Sequence, residues 1–314
     1  MNWFISPRQL SSLGVLGMNQ RNIEYISRHN ERRLFPLVDD KLQTKELAEA
    51  AGLQVPRLLG VIRYQHQVRE IAEVLHSQEA FCIKPSKGSG GKGILVIHDH
   101  DDNQYFKPNN QALSLVDIKR HTSNILAGLY SLGGQPDKAI IEDLIHFDEQ
   151  FIRYSYEGVP DIRIIVFRGF PVMAMMRLST AASDGKANLH QGAVGVGIDI
   201  ATGEASHAVQ FDRPVTEHPD TDMPLADIRI LDWHRLLYMA ARCYEMSGLG
   251  YLGVDIVLDA RHGPMLLELN ARPGLAIQIA NSQGLKGRLQ TIIAIDDLSM
   301  TVADRVSFVE TRFA

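Results

Sequence analysis

Apolar positions in this chain recur with two periods, and polar residues that interrupt them mark the chemistry. Alternating or continuous apolar runs predict strands at 57–62, 80–84, 94–98 and 138–142. They also predict two long strands in 161–179, joined at Gly169-Phe170-Pro171. A helical period predicts helices at 41–51, 67–76, 113–130 and 225–246, and two helical pieces in 286–314. Asp40 is placed to cap the first helix, whose apolar face holds Leu42, Leu47 and Ala48, and Gly52 ends it. Residues 180–192 are small and polar enough to form a loop. Strands alternating with helices predict an α/β or α+β protein with helix-covered sheets. The expected divisions are a leader over 1–38 with helical character at 22–33, a small sheet with helices over 39–143, a larger antiparallel sheet over 144–290, and a C-terminal helix over 291–314.

The segment Asp255–Leu275 reads DIVLDARHGPMLLELNARPGL. If 259–263 is a hairpin turn, Asp255 lies on one strand, and Glu268 and Asn270 share a face of the next. Three oxygen-bearing side chains then converge, which is hard-cation chemistry suited to Mg²⁺ beside phosphate. A hairpin with charged ends is the plainer alternative. It is weakened because polar residues inside LLELNA cost stability without partners.

A second signal is SKGSGGKG at 86–93, which follows the strand-ending Lys84. Glycines let backbone N–H groups approach phosphate oxygens, so Ser89, Gly90 and Gly91 become candidates, with Lys84 placed to grip phosphates. The loop is neither a Walker A motif nor a dinucleotide fingerprint, and a flexible turn is the competing account. In IIEDLI (140–145) an acidic pair ends an apolar strand. It suits either a hinge that holds adenine, with Glu142 accepting from the amine, or a solvated strand end. Asp161 and Arg163 share a strand face, and Arg177 sits late in an apolar strand, either ion-paired or aimed at a phosphoryl or acyl-phosphate centre. KANLHQGA (186–193) is either a solvent loop or a cover over triphosphate.

The apolar fraction of 45% and charged fraction of 22% are those of a globular protein, and the net charge of −5 argues against nucleic-acid partners. No apolar run reaches the roughly 18–20 residues that span a bilayer. Cys82 and Cys243 lie in apolar patterns as buried thiols, so a cytoplasmic location is expected without membrane insertion. The histidines form no metal motif, and no Ser/His/Asp or Cys/His arrangement is present.

The ordered set DDK (39–41), GLQVPR (52–57), CIKPSKGSGGKGI (82–94), IIEDLI, DIR (161–163), NLHQGA (188–193), GVDIV (253–257) and LELNARPGL (267–275) resembles the ATP-grasp superfamily. It is most similar to the alpha-L-glutamate ligase-related, sugar-transfer-associated ATP-grasp proteins. The resemblance implies an α+β ATP-grasp fold, in which two subdomains clasp ATP between antiparallel sheets. It implies that Lys84, supported by Lys41, binds the α/β-phosphates. Glu142 and the backbone at Asp143 and Leu144 would hold adenine, and Asp161 the ribose. Lys186 and Asn188 would approach the nucleotide, and Asp255, Glu268 and Asn270 would bind two Mg²⁺, with Mn²⁺ as a substitute. Arg177 would stabilise an acyl phosphate, and Arg272 would face a substrate carboxylate or phosphate.

The implied reaction is ATP-dependent carboxylate–amine ligation, with glutamate or another amino acid as one substrate. A kinase on the same scaffold and a non-catalytic nucleotide-binding module stay open. Fewer than 40 residues precede DDK, where the family's ligases carry a sizeable domain. The acceptor site for small-molecule or peptide substrates is therefore expected to be built differently, or completed by a homodimer or partner chain.

Overall fold

The computed structural model describes residues 6–88, 90–101, 104–296 and 299–314. Two compact units divide them. The smaller contains Asp40–Glu46 and Val55–His146; the larger contains the chain up to Asp39, Leu47–Gln54 and Phe147–Ala314. The leader thus packs as part of the larger unit.

Helix α1 (Lys41–Ala50) starts where Asp40 Oδ1 accepts from the N–H groups of Leu42 and Gln43 at 3.1 and 3.3 Å. Strands β1 (Leu58–Ile62), β2 (Phe81–Pro85), β3 (Leu95–Ile97), β4 (Asp99–His100), β5 (Gln104–Phe106), β6 (Ala112–Ser114) and β7 (Ala139–Asp143) follow in the smaller unit. An antiparallel sheet has the order β1-β7-β2-β3, and β4-β5-β6 form a second. Helix α2 (Leu115–Leu126) is shorter than the pattern predicts, because Leu113 and Ser114 belong to β6 and Ser114 forms a capping box with Asp117. Ile71, Leu75, Phe81, Ile83, Ile118, Ile125 and Ile141 close the core.

In the larger unit β8 (Asp161–Phe167), β9 (Phe170–Leu178), β10 (Val194–Ile198), β11 (Ala205–Gln210) and β12 (Arg213–Pro214) precede helix α3 (Trp233–Ser247). Then come β13 (Tyr251–Asp259), β14 (Gly263–Asn270), α4 (Lys286–Ile293) and α5 (Val302–Arg312). The sheet order is β12-β11-β10-β9-β8-β13-β14, with every neighbour antiparallel. The helix expected over 225–246 begins only at Trp233. Main-chain bonds explain why: Ala205 N donates to Ile228 O, and Ile230 N to Gly203 O, both at 2.9 Å, so 228–230 is drawn out beside β11. Asp232 then turns with a φ of 52° before the helix starts. The leader contributes a helical stretch over 18–29, whose Tyr25 ring meets Phe167 edge-on at 5.5 Å. No helix among the described residues is long and apolar enough to cross a membrane.

Gly197 on β10 shows how closely this sheet is covered. A Cβ there would lie 2.5 Å from Ala280 O and 2.7 Å from Asn281 Cα, both backbone atoms. Gly197→Ala is expected to cost about 1–3 kcal/mol through overpacking, read as a lower urea midpoint with the slope kept.

Candidate active site

Register brings charged residues from four adjacent strands of the larger unit to one face. Asp161 on β8 stands opposite Arg177 on β9; Arg163 on β8 stands opposite Asp255 on β13; Asp255 also stands opposite Glu268 on β14. Arg163 grips Asp255 with two bonds, Nε to Oδ1 at 2.7 Å and Nη2 to Oδ2 at 2.6 Å. Arg177 grips Asp161 with the same two-pronged geometry, and its Nη2 lies 3.0 Å from Asp255 Oδ2. Asn270 Nδ2 lies 3.2 Å from Asp255 Oδ2 and 3.3 Å from Glu268 Oε1.

Burial sets the electrostatics. It opposes ionisation of Asp255, but Arg163 and Arg177 outweigh it and hold the carboxyl well below the usual range. Asp161 moves the other way: burial raises its carboxyl against the pull of Arg177, and the Asp255 charge adds to the rise. Burial also opposes the charge on Arg177, yet Asp161 and Asp255 raise its pKa further. The ribose contact expected of Asp161 meets a different environment, because this buried carboxylate is already held by Arg177. Of the two fates open to Arg177, the structure has the ion pair.

The metal expectation can be tested on the donors themselves. Among the described residues no three His, Cys, Asp or Glu side chains form a metal-holding group. The set at β13 and β14 is instead two carboxylates and an amide, bridged by one Asn270 nitrogen. Rotating that amide would turn its oxygen toward both acids. Three carboxylates here face two guanidiniums, which leaves one negative charge. Hard oxygens with surplus negative charge fit Mg²⁺.

The smaller unit holds a second buried constellation. Glu142 on β7 lies between two ammoniums, with Lys84 Nζ of β2 at 2.5 Å and Lys45 Nζ of α1 at 2.9 Å. All three are buried. Lys45 also donates to Pro56 O. Burial would raise the Glu142 carboxyl, but Lys84 and Lys45 outweigh it and hold it below its ordinary value. Glu142 is therefore not the solvated strand end that was one of its two alternatives: it is buried, with a lysine beside each oxygen. Lys45 was missed altogether. Its one signal is its position one helical turn after Lys41.

The glycine-rich loop starts from this sheet. Lys41 Nζ donates to Gly88 O at 2.7 Å, and Lys87 N donates to Asp137 Oδ2 at 2.9 Å. Gly90 and Gly91 have φ of 62° and 74°, a conformation that costs glycine little. Ser89 lies outside the described residues. At the strand end Asp143 takes a two-pronged bond from Arg57, at 2.7 and 3.0 Å, and its N–H donates to Arg57 O. Leu144 follows, half-buried. In the loop between β9 and β10, Lys186 pairs with Asp184 at 2.9 Å, and Asn188 Oδ1 accepts from His190 N at 3.1 Å. Arg272, just past β14, is exposed, with its guanidinium carbon 5.4 Å from the Phe35 ring centroid.

The sugar-transfer associated ATP-grasp family matches residues 20–294 of this chain, which takes in both constellations. The chain belongs to that ATP-grasp family. It is 25% identical over 239 residues to a probable alpha-L-glutamate ligase of Maridesulfovibrio salexigens, covering 75% of this chain and 56% of that protein. It is 23% identical to a cyanophycin synthetase of Crocosphaera subtropica, covering 90% of this chain and 33% of that one. The chain therefore spans 56% and 33% of the length of these two curated relatives. Among solved structures, the ATP-grasp ligase PsnB complexed with a minimal precursor aligns with a TM-score of 0.47 and 18% identity, over 85% of this chain and 62% of that one. Within the matched ATP-grasp range the leader supplies two residues that the sequence pattern did not single out. Arg21 and Asn30 are buried polar side chains bonded to the loop after β14.

Proposed function

We propose that this chain is an ATP- and Mg²⁺-dependent carboxylate–amine ligase that forms an amide through an acyl phosphate. The observation that carries the reading is the convergence of Asp255, Glu268 and Asn270 on one face of the sheet, in a chain that belongs to an ATP-grasp family. Names of its relatives support the class, a probable glutamate ligase and a cyanophycin synthetase. An amino acid or peptide carboxylate and an amine are the substrates we assign.

In this reading Lys84 takes the α/β-phosphates, with Lys41 holding the base of the glycine loop. The loop N–H groups at Gly90 and Gly91 meet phosphate oxygens, and the main chain at Asp143–Leu144 meets adenine. Lys186 and Asn188 approach the nucleotide from the β9–β10 loop. Asp255, Glu268 and Asn270 would hold Mg²⁺, two ions with Mn²⁺ as a substitute, which supplies charge neutralisation at the phosphates. Arg163 and Arg177 fix Asp255. Pinned in turn by Asp161, Arg177 keeps a permanent positive charge beside the reacting phosphoryl group.

A substrate carboxylate oxygen attacks the γ-phosphorus, the bond to the β–γ bridging oxygen breaks, and ADP carries that electron pair away. The amine then attacks the acyl carbon, phosphate leaves with the former carboxylate oxygen, and the amine gives up a proton. Positioning and charge account for such phosphoryl transfer without a side-chain nucleophile.

The test is ADP release across paired carboxylates and amines, with product mass recorded. Release that requires both partners and yields an amide is expected. A stable phosphoester formed from a hydroxyl compound, with no need for an amine, would overturn the reading.

A further inference from the structure

Bulky side chains avoid left-handed backbone, and strain of that kind persists only where the surrounding structure fixes it. Phe211 and Asp212 form the two-residue turn between β11 and β12, where Gln210 pairs with Arg213. Both have positive φ, 49° and 59°, the conformation of a hairpin turn that suits Asn-Gly. Phe211 is 60% exposed, so burial does little to offset this strain. What the turn does is hold the ring against the far end of the loop between β9 and β10. A Cβ on Gly192 would come 2.7 Å from Phe211 Cζ. Gly192 O accepts from Gln210 Nε2 and from Thr180 Oγ1, both at 2.9 Å. The near end of that loop is held by the same stretch of chain. His218, fully buried, donates from Nε2 to Ser179 O at 3.0 Å, a tautomer set by Asp220 N, which donates to Nδ1 at 3.3 Å. Asp220 Oδ2 accepts from Ala181 N at 2.8 Å. Lys186 and Asn188 lie between these two anchorages.

We infer that residues 210–220 are a latch that sets the position of the loop carrying Lys186 and Asn188, with Phe211 and Asp220 as its positioning residues. The strained turn serves the placement of the ring and not the fold: Asn at position 211 would fit the turn better but would leave Gly192 uncovered. With both ends held, the loop between them has less freedom to lose when a nucleotide binds. That this loop meets a nucleotide rests on the function proposed above; the latch itself does not.

The experiment is limited trypsin digestion of the full chain without nucleotide, with cleavage after Lys186 followed by mass, beside urea unfolding of the same proteins. Phe211→Asn is expected to speed that cleavage about threefold to tenfold with a urea midpoint no lower than native, because the opening is local. Asp220→Ala is expected to speed it from the other end. Phe211→Tyr, which keeps the ring, is expected to cleave at the native rate. Native-rate cleavage in either Phe211→Asn or Asp220→Ala, or fast cleavage in Phe211→Tyr, would overturn the inference. So would a lowered urea midpoint in Phe211→Asn, which would make the ring a part of the fold's stability. Calorimetry with Mg·ADP reads the link to nucleotide: Phe211→Asn is expected to bind about threefold to tenfold more weakly than native, and equal affinity would overturn that link. No Mg·ADP binding by the native chain would instead overturn the ligase reading, and the digestion is read without it.

Discussion

Glu268→Gln is expected to lower ADP release about 10²–10³-fold while the protein stays folded. Asp255→Ala is expected to lose activity and fold together. The difference follows from what each carboxylate holds. Asp255 is fully buried and takes guanidinium donors from both Arg163 and Arg177. Removing it leaves two largely buried positive charges with only Asp161 between them, and breaking such a pair costs up to about 3–5 kcal/mol. Glu268 is half-buried at the cluster edge, where Asn270 links it to the rest. Its removal takes away a proposed cation ligand and leaves both arginines paired. Steady-state ADP release and urea unfolding on the same two variants separate the effects. Native turnover in Glu268→Gln would remove this residue from the metal site.

The hairpin that carries these proposed ligands was legible because its signal is local. The turn residues, the period of two and the acidic interruption all fall within Asp255–Leu275; what the pattern does not show is the bulge between Asp255 and Ile256, which shifts the register by one residue and sets Asp255 opposite Glu268. Lys84 and the glycine loop were legible for the same local reason. Roles that depend on packing between distant segments were not legible. Lys45 looks like any lysine on an amphipathic helix until α1 is laid against β7 and its ammonium meets Glu142. Arg21 and Asn30 lie in a polar leader whose sequence gives no sign that their side chains are buried. The long helix expected over 225–246 failed for a related reason. Its first residues follow the helical period, but hydrogen bonds to Gly203 and Ala205, some 25 positions earlier, draw them out. Strands β4 to β6, of two or three residues each, are too short for periodicity to register.

The Lys45–Glu142–Lys84 cluster separates the proposed phosphate-binding role from a structural one in the same way. Lys84→Met is expected to lower turnover about 10²–10³-fold with a modest loss of stability, because Glu142 keeps Lys45 as a partner. Glu142→Gln is expected to cost about 3–5 kcal/mol as well as turnover, since two buried ammoniums then share a neutral amide. The pH dependence carries the same signature. The folded Glu142 carboxyl lies below its ordinary value of 4.5, so the stability it contributes is complete above that value and is lost as pH falls through the lower folded one. Native protein should therefore lose stability on acidification below about pH 4.5 more steeply than Glu142→Gln, which has no proton to take up there. Urea midpoints collected between neutral and acidic pH measure the slope for both. Parallel slopes would mean that Glu142 does not hold the two lysines as an ionised carboxylate. Lys84 would then need no release from an ion pair before it could meet a phosphate.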